Sequence, residues 1–431
     1  MNQEQISIDG LRDVARQLPN ESLAAIREAA LEHFNRYGLP TTRHEDWKYT
    51  DLSSAIAISN RWLQAGASQP TPGDLRDEID AVTTAIDATW LVVANGVILT
   101  QDVDAASVPA LTVSRISENL AEPALDKPLA DLNTALLRDG LNIRIDGALD
   151  RPLGILVIDA TKDEVGVTQS RVQIDVAPGA TADIIEYHLS TGTEDHYANS
   201  VLTLDVGAAA SVGYVRLQNR QPGHVQTGRT SIKLRKDAAL SMASFDLGGR
   251  LVRNDLDIDL CEPGAKVSFV GLYLAGDDQH IDNHTRVDHR AGHATSSQEY
   301  RGILNGHCRC VWNGKAIVHA GADGTDATQA NHNLLLSKKA EIDAKPELEI
   351  YADDVKCSHG TTVGQLDETA LFYLRTRGLD KQHATRVLTH AFAAGLVSQV
   401  PVAAIRDVVA RAVEERLAVL VAADIDAGLP R

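Results

Sequence analysis

The chain is short of aromatic residues, cysteine, positive charge and long apolar runs, and each shortage excludes something. Phe, Trp and Tyr make up 4 % of 431 residues, so the core has to be assembled mainly from Val, Ile, Leu and Ala. The four cysteines, Cys261, Cys308, Cys310 and Cys357, are too few to staple so long a chain and read as reduced thiols. Lys and Arg number 41 against 59 Asp and Glu, a formal net charge of −18. Nucleic acids and anionic membranes both demand a basic surface, so neither is expected as the main partner. No stretch approaches the roughly 18 uninterrupted apolar residues of a membrane span. Met1 to Gly10 carries Glu4 and Asp9 and no basic or apolar run, unlike a secretory or transit leader. A soluble, cytoplasmic protein is expected. Gly-x-Ser-x-Gly and Gly-x-x-x-x-Gly-Lys are both missing, so neither a nucleophile-elbow hydrolase nor a P-loop ATPase is indicated.

What is present falls into three regions: a helical and mixed segment over 1–140, a strand-rich middle over 141–364, and a helical end over 365–431. Leu23, Ile26, Ala30, Leu31 and Phe34 recur at helical spacing as one buried stripe. Asn20 is a candidate N-cap, and Gly38 with Pro40 a candidate stop. Thr71 to Leu141 reads as mixed, with a strand-like run at Trp90 to Leu99. Near the end, helices are expected over Asp367–Arg377 and Asp380–Val397. A third is expected from Pro401 past Leu417, since proline suits a first helical position.

In the middle, Ile143-Arg-Ile145, Val172-Gln-Ile174-Asp-Val176, Leu202-Thr-Leu204-Asp-Val206 and Leu256-Asp-Ile258-Asp-Leu260 alternate with period two, the mark of half-buried strands. A turn-then-strand element recurs with its second residue at Ala180, Ala210, Ala239, Ala265 and Ala294, in steps of about 26–30 residues. Such a period signals stacked repeats, none able to bury its own face alone. The fold expected is mainly β: a right-handed parallel β-helix or solenoid-like core flanked by N-terminal and C-terminal helical regions. A sandwich of regular hairpins is the alternative. A solenoid exposes strand edges at its ends, for which the helical flanks or a partner subunit are the natural covers.

Two stretches carry a resemblance. One is Leu39-Pro-Thr-Thr-Arg-His-Glu-Asp-Trp-Lys-Tyr-Thr-Asp-Leu52. The other runs from Asn331-His-Asn-Leu-Leu-Leu-Ser337 through Ala340 to Gly364, including Lys356-Cys357-Ser358-His359-Gly360, and on into Leu371–Gly378. Together they resemble the SufB/SufD family of iron–sulfur cluster assembly proteins, and the Lys-Cys-Ser-His-Gly centre is similar to its SufD branch. The resemblance implies a subunit that is not itself an enzyme. It would pair with SufB through the β-helical core and dock one SufC ATPase on its C-terminal helices. A transient iron–sulfur cluster or iron would sit at the SufB interface, with none tightly bound to the lone chain.

Cys357 and His359 are two apart, so on a strand both point the same way. A thiolate beside an imidazole suits iron or an iron–sulfur species. Clusters usually take four ligands, so a shared interface site with SufB would have to supply the rest. Val355 shares the parity of Cys357, which can equally be a small buried hydrophobe, and His359 an ordinary hydrogen-bonded histidine. Cys308 and Cys310, spaced Cys-x-Cys rather than Cys-x-x-Cys, and the run His280, His284, His289, His293 read as structural thiols and a solvated surface. Phe372, Tyr373, Arg375 and Arg377, on the expected helix after Asp367, are the candidate SufC contacts. Two other functions remain open on the residues alone: a carboxylate-lined β-helix acting on carbohydrate, and a stand-alone iron carrier.

Overall fold

The computed structural model describes residues 5–68, 75–99, 108–116, 120, 127–161 and 164–426; Glu4 and Thr71 lie outside them. Helices α1 (Ile8–Gln17), α2 (Ala24–Tyr37), α3 (Ser53–Gln64) and α4 (Arg76–Ala85) come first. In α2, Leu23, Ala30, Leu31 and Phe34 are buried as expected, but Ile26 is only half covered, and Arg27 is buried in the same stripe. Its Nε donates to Leu137 O at 2.9 Å and its Nη atoms reach the carbonyls of Leu18, Pro19 and Asn20. Asn20 makes no side-chain cap; a buried guanidinium gathers the loop's carbonyls instead. Gly38 does end α2, with φ +65° and its N–H on Phe34 O at 2.7 Å.

The run from Trp90 to Leu99 is a hairpin of β1 (Thr89–Ala94) and β2 (Val97–Leu99). Asn95 and Gly96 turn it with φ of 47° and 72°, the left-handed pair that a two-residue hairpin requires. Next come β3 (Leu111–Arg115), α5 (Pro128–Ala135) and β4 (Leu141–Ile145).

From β5 (Leu153–Ala160) onward the chain winds as a parallel solenoid, each turn placing one strand in each of two sheets. One sheet takes β5, β7 (Thr181–Thr191), β9 (Ser211–Asn219), β11 (Ala239–Asp246), β13 (Lys266–Ala275), β15 (Thr295–Leu304), β17 (Thr325–Leu335) and β19 (Val355–Gly364). The other takes β6 (Gly166–Val176), β8 (His196–Val206), β10 (Val225–Leu234), β12 (Leu251–Leu260), β14 (His280–His289), β16 (Arg309–Val318) and β18 (Glu341–Ile350). Every ladder within this stack is parallel, which rules out the hairpin sandwich.

The repeat marks the corner before each strand of the first sheet. The ladder aligns Ala180, Ala210, Ala238, Ala265 and Ala294, so the third member is Ala238 and not Ala239. All five are at most 2 % exposed.

Between the sheets lies the main core, including Ile155, Ile184, Leu202, Leu204, Ile232, Leu240 and Phe269. The outer face of the first sheet is covered too. Leu156, Ile185, Leu217, Phe245 and Leu272 share a cluster with Leu396, Val402, Val409 and Leu417. Those last residues belong to α7 (Lys381–Val397), α8 (Arg406–Asp426) and the link between them. Asp367 and Asp380 cap α6 (Glu368–Thr376) and α7 through their carboxylates. The last helix starts at Arg406, after a short 3-10 turn at Ala403–Ile405, rather than at Pro401. On the second sheet, α1, α2, α3 and α5 pack over Val167, Tyr197, Val225 and Leu251. The terminal helices therefore cover faces of the solenoid, not only its ends.

Candidate functional site

The first and last turns are finished differently. At the N-terminal end each sheet finishes in a short antiparallel strand, β2 on β1 and β3 on β4. At the C-terminal end β18 and β19 are the outermost strands, and among the described residues no strand pairs beyond them. Most of β19 is exposed and β18 is only half covered, whereas β13 and β14 are largely buried. Tyr351 is 62 % exposed and Val363 55 %. An unpaired edge carrying large apolar side chains is a template for pairing with another chain.

Cys357 and His359 lie on β19. Cys357 pairs with Ala327 and His359 with Gln329, both inward-facing and buried on β17. The expected shared direction holds, and that direction is toward the inside of the solenoid at its open mouth. Cys357 is half-buried and His359 exposed. Burial pushes the Cys357 thiol up, and the Asp326 carboxylate nearby adds to it, so the free chain holds it as a thiol. A metal would displace that proton. Two soft donors at a mouth fit iron or an iron–sulfur species as cargo. They do not complete a ligand set, and the described residues hold no group of three or more His, Cys, Asp or Glu arranged to bind a metal.

Cys308 and Cys310 are fully buried. Cys310 faces the core, where burial raises its thiol well above the usual range, while contact with Cys310 and the charge of Arg416 lower that of Cys308. The histidine run differs from a solvated surface. Only His293 is exposed; His280 and His284 are half-buried, with ring nitrogens at 2.8 Å from Thr50 Oγ1 and 3.2 Å from Asp282. His289 is fully buried beside Ser296 Oγ at 2.8 Å. Alternation put its parity inside, a signal overridden by its polarity.

On α6, Phe372 is 68 % exposed, and Tyr373, Arg375 and Arg377 are exposed with it. Arg377 Nη2 donates to the Tyr373 hydroxyl at 2.9 Å and its guanidinium lies 5.1 Å from that ring. Only Leu371 of this helix is buried. All four side chains are uncovered.

The second sheet's outer face carries a cleft of about 800 Å³, walled by Pro40, His44 and Trp47 from the first recognisable stretch. Its floor is charged but internally neutralised. Arg253 donates to Asp282 at 2.5 Å and to Asp255 at 2.7 Å while stacking 4.2 Å from the Trp47 ring, and Arg229 pairs with Asp257. Carboxylates so engaged are not a free acid and base pair for glycoside cleavage.

Sequence reasoning missed a polar system inside the solenoid. Arg220 and Asp159, each 1 % exposed, pair at 2.5 Å. Glu186 accepts from His188 at 2.8 Å and from the Tyr214 hydroxyl, and Arg216 pairs with Asp246 at 2.9 Å. Burial pulls His196 down to about 3 and His224 to about 4, so both stay neutral in the fold at pH 7.

The model of the SUF system FeS cluster assembly SufBD core domain matches residues 157–392, and that of the SufBD protein N-terminal region matches 9–114. The iron–sulfur cluster assembly protein SufD of Escherichia coli (strain K12) is 31 % identical over 372 residues, covering 85 % of this chain and 86 % of its own. A SufBD family iron–sulfur cluster assembly protein of Synechocystis is 28 % identical over 403 residues, 88 % of each chain. SufD of Bacillus subtilis is 25 % identical over 306 residues, 67 % of each chain.

Proposed function

The chain belongs to the SufB/SufD family of iron–sulfur cluster assembly proteins, on its SufD branch, and from that premise we propose that it is the non-ATPase subunit of a SufBCD complex. Its open end pairs with SufB, edge strand to edge strand, and the exposed surface of Phe372, Tyr373, Arg375 and Arg377 receives the SufC ATPase. The protein carries no catalysis of its own. His359, with Cys357 beside it, contributes ligands to iron or a nascent cluster at the SufB interface, and the partner completes the set. The cluster passes through as cargo, and the lone chain binds none tightly. Assembly takes place in the cytoplasm. This reading is supported above all by the coincidence of these two donors with the solenoid end whose outermost strands, β18 and β19, have no further strand paired to them among the described residues.

His359→Ala tests it. An exposed side chain contributes little to the core, so stability should change by no more than about 0.5 kcal/mol and the complex should still assemble. Cluster formation in cells should drop by about tenfold or more, as for loss of a metal-site group. Wild-type cluster output, or failure to bind SufB, would sink the ligand role. Cys357→Ala separates its two readings: a packing thiol costs stability and spares cluster output, and a ligand does the reverse.

A further inference from the structure

Directly beneath His359 in the stack is Gln329, and beneath that Gln298. Both amides face inward and are at least nine-tenths buried, at 5 % and 3 % exposure. Gln298 has a partner across the solenoid: its Nε2 donates to Thr285 Oγ1 at 2.6 Å. One turn further on, the ladder partner of Thr285 is Gly314, and the next is Pro346. Neither has a side chain that can bond an amide, and Trp312 folds its ring over Gly314, where a Cβ would come within 2.3 Å of it. Gln329 therefore keeps both Oε1 and Nε2 without a partner among the described residues. The column beside it is saturated: Asn331 bonds Tyr273, Asn333 and Thr361.

A buried amide with nothing to bond is costly in an interior, and this one lies a single strand spacing, about 4.8 Å, below the candidate ligand. We infer that Gln329 is a positioning residue for the site at the mouth: its amide, unbonded in the free chain, becomes the partner that fixes the His359 imidazole in one ring orientation and tautomer when a soft sulfur-bearing iron species occupies the mouth. A second group fixing the ring of a ligating histidine is a general requirement of such sites. This inference rests on the ligand role proposed for His359.

The test uses the full chain, alone and with its partners, carrying Gln329→Leu and Gln329→Glu. Leucine removes the unbonded amide at similar volume, so the melting temperature of the lone chain should stay the same or rise. In the assembled complex the imidazole ¹⁵N resonances of His359, identified by their loss in His359→Ala, should move at fixed pH. Cluster yield of the complex should drop by about tenfold. Gln329→Glu keeps the shape, replaces N–H donors by acceptors, and should move the same resonances even if the leucine variant folds poorly. If His359 resonances are unchanged in both variants, or the leucine variant melts lower with cluster yield intact, Gln329 is structural and the inference is wrong. If His359→Ala itself gives wild-type yield, the ligand role has failed first, and Gln329 goes with it.

Discussion

At its N-terminal end the solenoid is closed by its own chain. Antiparallel β2 and β3 take the edges of β1 and β4, and the inward column above them is apolar, Leu153 then Ile184. At the other end the same column becomes Gln298, Gln329 and His359, and β18 and β19 end in solvent. A parallel strand edge offers N–H and C=O groups that must be bonded by something. At one end the edge of the last parallel strand is taken by an antiparallel strand of the chain, and at the other no described strand follows β18 or β19. A uniform repeat would give the two ends the same residues. The change of chemistry along a single column marks where stability stops being the governing requirement.

The comparison is broken most directly in the closed half. Arg220→Met should leave the Asp159 carboxyl in the core without its cation, since burial pushes that carboxyl up and Arg220, with His196 and the Thr168 hydroxyl, brings it below the usual range. Removing one member of such a pair costs about 3–5 kcal/mol, read as a fall in the urea midpoint. A variant with unchanged stability would mean that the pair is not buried in solution.

Acid should act on the buried histidines of the solenoid. An unfolded histidine titrates near 6.5, whereas His196 sits at about 3 and His224 and His289 at about 4. The unfolded chain then binds more protons between those values, so stability is complete above about pH 6.5 and declines as pH falls toward the folded values. At pH 5 each such histidine removes about 2 kcal/mol. His196→Gln should flatten the decline by about that amount; an unchanged slope in denaturation between pH 7.5 and pH 5 would place the responsible groups elsewhere.

Much of the fold was legible because period two and a step near 29 residues are properties of the line of sequence. The spans of α6 and α7 were legible for the same reason, and so was the shared face of Cys357 and His359. The third repeat slipped by one because Ala238-Ala239 presents the same small residue twice. The interior ion pairs were not legible, because Arg220 finds Asp159 across 61 positions and charge read along a strand looks like solvent exposure. Gln329 was hidden more deeply still. Its lack of a partner depends on Gly314 lying opposite, a relation between two sheets that no spacing within either one records.

The open half should tolerate in the lone chain what it cannot tolerate in the complex, and Val363→Lys separates the two. Val363 shares the inward register of Asn333 but stands 55 % exposed, because no described strand stacks on β19. In the isolated protein a lysine there keeps its ammonium in water, so stability should move by no more than about 0.5 kcal/mol. Under the proposed pairing with SufB the same ammonium would lose its water at the contact. Loss of a central apolar contact typically costs about 2 kcal/mol, roughly thirtyfold in affinity, and the buried charge adds to that. Thermal melts of the lone chain and titration against purified SufB measure the two terms separately. Equal affinity for the wild-type and lysine chains would show that SufB does not cover β19, and the open end would then need a different occupant. A large loss of stability in the lone chain would mean instead that β19 is already packed in solution, and that the two ends are less different than their strands suggest.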